Sequence, residues 1–99
     1  MDEQLRRLLT DMKKKNATDL HITVGTPPHY RVFGRLQAVE DMPPVTPETA
    51  EEMICSMLDD EHRERLEEER ELDSSIGIAG EGRYRVNVSF QRDNLATAI

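Results

Sequence analysis

The chain lacks several features on which whole classes of protein depend. Among its 99 residues there are one cysteine, no tryptophan and four aromatic side chains. The single cysteine, Cys55, excludes an intramolecular disulfide and a cluster of thiolate metal ligands, and it fits a reducing compartment. No run approaches the ~18 apolar residues of a transmembrane helix, and the amino terminus, Met-Asp-Glu-Gln, is not a basic leader followed by apolar residues. We therefore expect a cytoplasmic protein without a membrane-inserted segment.

Basic residues are also scarce. Thirteen Lys and Arg stand against 20 Asp and Glu, which gives a formal net charge of −7. The segment 59–73 alone contributes −6, because it holds nine acidic residues and three arginines. A nucleic-acid-binding protein needs a basic face that neutralises phosphates, so we expect no nucleic-acid partner. We interpret the acidic run as the solvated face of a helix rather than as a docking surface.

The hydrophobic content is low, at 36%. Adding the five glycines leaves it below the ~45–50% apolar share of an average soluble domain. A chain of this size buries roughly 60–70% of its unfolded surface and fits one domain. We expect a single domain over residues 1–99 with a thin core rich in Leu and Met.

Hydrophobic periodicity predicts three helices and about six strands. The helices are expected at about 3–15, from Thr46 as N-cap through a stripe of Ala50, Met53, Ile54, Met57 and Leu58, and from 59 or 60 to about 70. The strands are expected near 20–24, 30–32, 36–38, 72–78, 83–92 and 95–99, with tight turns at Gly34 and at Asp93-Asn94. Hairpins of this kind form antiparallel pairs. The order α-β-β-β-α-α-β-β-β therefore predicts a two-layer α+β domain with a mainly antiparallel sheet.

The segment 83–91 is the most informative strand. Its apolar side chains alternate with polar ones, among which are Arg83 and Arg85. Two guanidinium groups on a rigid strand form an anion clamp, since arginine presents planar, permanently charged donor pairs that suit phosphate oxygens. Alternation alone also produces two ordinary exposed arginines, and from the pattern by itself that interpretation is the favoured one.

Other polar residues give weaker signals. Asp19 and His21 lie two apart on one strand and are best explained as part of a polar strand face. His29 and His62 are too far apart in sequence to complete a ligand set, because zinc sites draw three or four ligands from Cys, His and carboxylates. We expect no metal site. Cys55 has no positioned base or electropositive setting in the sequence, so it is not expected to be a nucleophile.

Three motifs occur in order along the chain. They are Ala17–Pro28 (ATDLHITVGTPP), Arg31–Leu36 (RVFGRL) and Gly82–Val88 (GRYRVNV), the last followed by Gln91-Arg92. Together they resemble the amino-terminal domain of the PilT family of twitching-motility ATPases, in the GspE/PilT secretion ATPase superfamily. The resemblance spans nearly the whole chain.

This resemblance implies a PAS-like domain joined to a RecA-like ATPase domain that follows residue 99. It implies a homo-hexamer that binds ATP and Mg²⁺, works with the inner-membrane pilus machinery at the cytoplasmic face of the inner membrane, and powers type IV pilus retraction. The chain contains no G-x-x-x-x-G-K-[ST] loop, so we expect no ATP hydrolysis by this chain alone. It stops at Ile99 inside an apolar run, which we interpret as a fragment of a longer protein.

The resemblance also implies which residues face the nucleotide. The family's amino-terminal domain directs arginines toward the ATP phosphates, and Arg85 is the best match and the arginine-finger candidate. Arg83 comes next, and Arg92 is a weaker candidate because it is expected on the opposite strand face. Members usually carry an acidic residue where this chain has Phe33, so Phe33 is interpreted as an exposed apolar contact or as a tolerated turn residue.

Two alternatives remain open from the sequence. One is a stand-alone PAS-like sensor or protein-interaction module that binds a small ligand or a helix. The other is the equivalent domain of a type II secretion or pilus assembly ATPase. A phosphate-binding loop encoded within a few dozen residues after Ile99 favours the motor over the module.

Overall fold

The computed structural model describes residues 1–78 and 80–99. The elements in chain order are α1 (Glu3–Lys14), β1 (Asp19–Ile22), β2 (His29–Val32), β3 (Arg35–Ala38), α2 (Pro47–Ser56), α3 (Asp60–Glu69), β4 (Glu71–Ile78), β5 (Gly82–Gln91) and β6 (Asn94–Ala98). Their order is the predicted one, and the α+β class is confirmed. The arrangement is consistent with the PAS-like domain that the resemblance implies. None of the helices in the described ranges is long and apolar enough to cross a membrane.

The strands form one antiparallel sheet in the order β3-β2-β1-β6-β5-β4. The last strand in the chain, β6, therefore lies in the middle of the sheet. The pairing continues past β6, where the backbone groups of Leu20 and Ile99 exchange hydrogen bonds of 2.9 and 2.8 Å. Thus β6 joins the β1–β2–β3 meander to the β4–β5 hairpin.

The hydrophobic core lies on one face of this sheet. Cross-strand pairing places Leu20 opposite Tyr30 and Leu72 opposite Val88, and all four side chains are buried. The helices complete the same cluster with Leu5, Leu8, Leu9, Met12, Ala50, Met53, Ile54 and Leu66. The Tyr30 hydroxyl donates a hydrogen bond to the Leu8 carbonyl and so ties α1 to the sheet. Most of the alternate strand positions carry polar side chains, among them Asp73, Arg83 and Arg85, and we call this side the polar face.

Side-chain caps begin the three helices. Asp2 Oδ1, Thr46 Oγ1 and Asp59 Oδ1 each accept a hydrogen bond from the backbone N–H three residues later, at 3.0, 3.1 and 2.8 Å. These bonds satisfy N–H groups that have no partner within the helix. Helix α2 ends at Ser56, so Met57 and Leu58 lie beyond it, yet both are buried as predicted.

Two tight turns use positive φ angles. Phe33 and Gly34 have φ of 49° and 79°, and Arg92 and Asp93 have φ of 52° and 65°. Two-residue hairpin loops of this hand match the twist of the strands. The turn predicted at Asp93-Asn94 is shifted by one residue, because the register pairs Gln91 with Asn94 and leaves only Arg92 and Asp93 in the loop.

Candidate anion-binding site

The β4–β5 hairpin positions both candidate arginines. The two strands pair at eight successive positions, with Arg85 opposite Ser75 and Arg83 opposite Gly77. Between the arginines, Tyr84 points to the other side of the strand and packs against the core. The alternation predicted from the sequence therefore holds, and it directs both guanidinium groups to the polar face.

Arg85 is paired with a carboxylate. Its Nε and Nη2 atoms donate to Asp73 Oδ1 and Oδ2, at 3.3 and 3.0 Å. This is a two-pronged arginine–carboxylate contact. The hydrogen bonds from Arg85 hold the pKa of Asp73 below its usual value, and the same contact raises the pKa of Arg85. The charge of Arg85 is thereby neutralised locally, although its side chain is 83% exposed.

Arg83 has a different environment. Its Nε donates to Ser75 Oγ at 3.3 Å and its Nη2 donates to the Ser75 carbonyl at 3.1 Å. Both acceptors are neutral, and within residues 1–78 and 80–99 no carboxylate forms an ion pair with Arg83. Arg83 therefore presents an uncompensated positive charge two residues from Arg85.

The two arginines line one open depression of about 480 Å³. Its other lining residues are Met12, Thr18, Asp19, Asp73, Tyr84, Asn87, Ala98 and Ile99. The Tyr84 hydroxyl is buried and has no hydrogen-bond partner among the described residues. We call this the arginine depression. Its polar groups include donors from Arg83, Arg85 and Asn87, which suit an anion.

Arg92 is not part of the depression. It lies in the β5–β6 turn with a positive φ, so the premise that it lies on a strand face is wrong. Arg92 is seven positions further along the extended chain than Arg85, or roughly 23 Å at ~3.3 Å per residue. It lines a different depression, of about 280 Å³, with Thr23 and Asn94. The structure thus brings Arg83 and Arg85 together and leaves Arg92 apart.

A second polar contact, missed from the sequence, fixes the tip of the same hairpin. Thr10 Oγ1 donates to Glu81 Oε1 at 2.7 Å, and Lys13 Nζ donates to the Glu81 carbonyl at 2.6 Å. The Glu81 side chain is only 10% exposed, and the Thr10 hydrogen bond is the main cause of its lowered pKa, with further contributions from Lys13. Helix α1 therefore anchors the turn that precedes the arginine strand.

The remaining polar candidates do not form a metal centre. Asp19 Oδ2 lies 2.9 Å from Arg31 Nε and 3.9 Å from His21 Nε2, so the arginine is its main partner. Within the described ranges no three His, Cys, Asp or Glu side chains are grouped as metal ligands. Cys55 is half-buried, and burial raises the pKa of its thiol despite the nearby positive charge of Arg63.

Two curated relatives of this chain are type IV pilus ATPases. The type IV pilus ATPase PilU of Pseudomonas aeruginosa is 33% identical over 90 residues, which cover 91% of this chain and 23% of PilU. The type IV pilus retraction ATPase PilT of the same organism is 33% identical over 95 residues, which cover 96% of this chain and 27% of PilT. The chain thus spans about a quarter of the length of the curated relatives that it matches. No protein-family model matches it.

A solved structure gives the same result. The crystal structure of the pilus retraction motor PilT with bound ADP superposes with a TM-score of 0.87 at 35% sequence identity. The match covers 99% of this chain and 28% of that one. The fold described above is therefore the fold of one segment of that motor.

Proposed function

Since this chain is homologous to the amino-terminal domain of PilT-like ATPases, we propose that it serves as the nucleotide-facing domain of an ATP-driven type IV pilus motor. In this proposal the ATPase domain, which follows in the intact protein, holds ATP and Mg²⁺. The present domain closes on the nucleotide and places arginine side chains near its phosphates. The observation that carries the proposal is the adjacency of Arg83 and Arg85 on one rigid hairpin.

The donor set fits a phosphate. Arg85 already holds a two-oxygen anion, the Asp73 carboxylate, through two of its N–H groups, which is also the way arginine binds phosphate. Arg83, beside it, carries a charge that no carboxylate of the described residues offsets. A Mg²⁺ site is not supported within this domain, because its described acidic residues form no ligand cluster. We therefore assign the metal to the ATPase domain.

We assign Arg85 the role of an arginine finger. A permanent cation near the transferring phosphoryl group stabilises the charge that develops on its oxygens, and in related nucleotide hydrolases this contributes ~10³–10⁵ in rate. The domain itself supplies no phosphate-cradling loop, so its contribution to hydrolysis depends on the partner domain. Arg83 assists by attracting the anion to the arginine depression.

The remaining parts of the proposal concern the assembly. We propose that the intact protein forms a homo-hexamer in which this domain packs on neighbouring subunits. The ring acts at the cytoplasmic face of the inner membrane on the pilus machinery and drives pilus retraction. The similarity to PilT and PilU over more than 90% of this chain supports these assignments.

The test is made in the intact ATPase. Arg85→Ala is expected to lower ATP turnover at least tenfold, and Arg85→Lys to restore only part of it, because a lysine keeps the charge without the paired donors. Arg35→Ala is the matched control, since Arg35 is an exposed arginine on β3 outside the arginine depression. Unchanged turnover in Arg85→Ala would remove the arginine-finger role.

A further inference from the structure

Asp73 and Arg85 form an ion pair across the β4–β5 hairpin. In the hairpin register Asp73 is opposite Asn87 and Ser75 is opposite Arg85, so Arg85 reaches its carboxylate diagonally across the strands. Two guanidinium nitrogens contact two carboxylate oxygens, at 3.3 and 3.0 Å. A phosphate that binds Arg85 side-on, through Nε and Nη2, needs the same donors. Asp73 and a phosphate in this side-on mode therefore compete for the same N–H groups.

The ion pair between Arg85 and Asp73 is exposed enough for a phosphate to replace the carboxylate. The Arg85 side chain is 83% exposed and that of Asp73 is 46% exposed, so water screens their attraction. A phosphate of a nucleoside triphosphate carries more negative charge than a carboxylate and offers more acceptor oxygens. Such a phosphate can displace the Asp73 carboxylate at little cost in free energy, because water solvates the released carboxylate.

Arg83, on the same hairpin, has neutral hydrogen-bond acceptors in place of a carboxylate. Its guanidinium rests on the hydroxyl and carbonyl oxygens of Ser75, which are neutral. The two arginines are therefore not equivalent. Arg83 is free of a carboxylate partner among the described residues, whereas the Nε–Nη2 side of Arg85 is available to a phosphate only when Asp73 is displaced.

We propose that Asp73 is an internal competitor of the nucleotide phosphate, which holds Arg85 away from the phosphate until ATP takes the carboxylate's place. This inference rests on the function proposed above, because it concerns the regulation of the same arginine. Asp73 acts through Arg85 and is thus a positioning residue. Its effect is to weaken nucleotide binding and to withhold the Arg85 charge from the depression while no nucleotide is bound.

The first measurement is equilibrium binding of a non-hydrolysable ATP analogue to the intact protein by calorimetry. Asp73→Asn removes the charge and one prong of the contact while keeping the side-chain volume. Because an exposed ion pair is weak, we expect the dissociation constant to fall by about two- to five-fold. Glu71→Gln is the control: Glu71 lies two residues earlier on the same strand face and forms no hydrogen bond or ion pair with Arg85. It is expected to leave the constant unchanged.

A double variant separates this inference from the proposed function. In an Arg85→Ala background, Asp73→Asn is expected to have no effect on analogue binding, because its competitor role requires Arg85. An effect that persists there would overturn the inference, as would weaker binding in Asp73→Asn alone, which would mean that Asp73 orients Arg85 for the phosphate.

The two failures are distinguishable in ATP turnover. If Arg85→Ala abolishes turnover but Asp73→Asn leaves binding as in the wild type, the competitor role is wrong and the arginine-finger role stands. If Arg85→Ala changes neither turnover nor binding, both are wrong. Asp73→Ser is carried in parallel, with thermal unfolding of each variant, so that loss of the fold is not mistaken for a change in affinity.

Discussion

Gly77 leaves open the space beside the Arg83 guanidinium group. A Cβ atom added at residue 77 would lie 3.1 Å from Arg83 Nη1, which is closer than ordinary van der Waals contact. The same guanidinium group donates to Ser75, two residues away on the same strand face. The resting position of Arg83 therefore depends on the absence of a side chain at residue 77.

Replacing this glycine tests that dependence. In Gly77→Ala the free energy of unfolding should change by no more than about 1 kcal/mol, because glycine is itself unfavourable in a strand and the new methyl meets only the end of a flexible side chain. The Arg83 guanidinium group should move off Ser75. Urea unfolding measures the first effect, and the Arg83 Nε–Hε resonance in NMR spectra reports the second.

The matched control is Gly34→Ala. Gly34 has a φ of +79° with open space around it, so an alanine there should cost about 1–2 kcal/mol of backbone strain and leave the Arg83 resonance unshifted. A loss above about 3 kcal/mol in the free energy of unfolding of Gly77→Ala would equal that of truncating a buried core side chain. It would show that the surroundings of residue 77 are packed too tightly for the Arg83 side chain to move aside.

Phe33 should be replaceable with a gain in stability. It has a φ of 49° and is 88% exposed, so it carries the strain of a positive φ without the benefit of burial. Phe33→Asn creates an Asn-Gly turn, the favoured sequence for this hairpin geometry, and should raise the free energy of unfolding by about 0.5–1 kcal/mol. Urea titration of the variant measures this gain.

Leu36→Ala serves as the comparison, since Leu36 is also exposed on the same hairpin but lies in a regular strand. It should change stability by less than about 0.5 kcal/mol. A Phe33→Asn variant less stable than the wild type would mean that the aromatic ring makes a stabilising contact in solution. That result would favour Phe33 as a contact residue over a tolerated turn residue.

The elements of the fold were predictable where the signal is local. Helix starts followed from capping side chains such as Asp2 and Thr46, and the strands followed from period-2 alternation. The position of β6 in the middle of the sheet was not predictable, because it depends on pairing between Leu20 and Ile99, which are far apart in sequence. The β5–β6 turn was missed by one residue since Arg92 adopts a conformation that local propensity disfavours.

The candidate site was predictable only in part. Alternation placed Arg83 and Arg85 on one exposed strand face, and the structure confirms that placement. Their different partners depend on the hairpin register, which fixes Asp73 diagonally across from Arg85. The contact of Thr10 with Glu81 joins residues 71 positions apart and has no local signal in the sequence.

Truncation in the core should be far more costly than any change on the polar face. Ile54 is fully buried in α2, which packs against the central strand β6. Ile54→Ala should lower the free energy of unfolding by about 2–5 kcal/mol, because it removes apolar contacts and leaves a cavity. Urea unfolding at pH 7 measures the loss. Ile54→Val should cost only about 0.5–1.5 kcal/mol, and equal losses in the two variants would contradict a cavity effect.

The Glu81 contact should make stability depend on acid pH. Its pKa in the folded state lies below the ordinary 4.5, mainly because Thr10 donates a hydrogen bond to the carboxylate and also because Lys13 is close. The stabilisation is therefore complete above pH 4.5 and is lost as the pH falls through that value toward the lowered pKa. The Glu81→Gln variant has no carboxylate to protonate at this position, so its stability has no such dependence on pH. The wild type should thus lose more stability than Glu81→Gln between pH 6 and pH 3.

Urea midpoints of both proteins at pH 6, 4 and 3 give the comparison. The two curves should converge as the pH falls, because a protonated Glu81 resembles glutamine. Glu40→Gln removes the same charge from an exposed position and should run parallel to the wild type. Curves for the wild type and Glu81→Gln that stay parallel down to pH 3 would mean that the Glu81 carboxylate does not gain its hydrogen bonds on folding, and that something else holds α1 against the arginine hairpin.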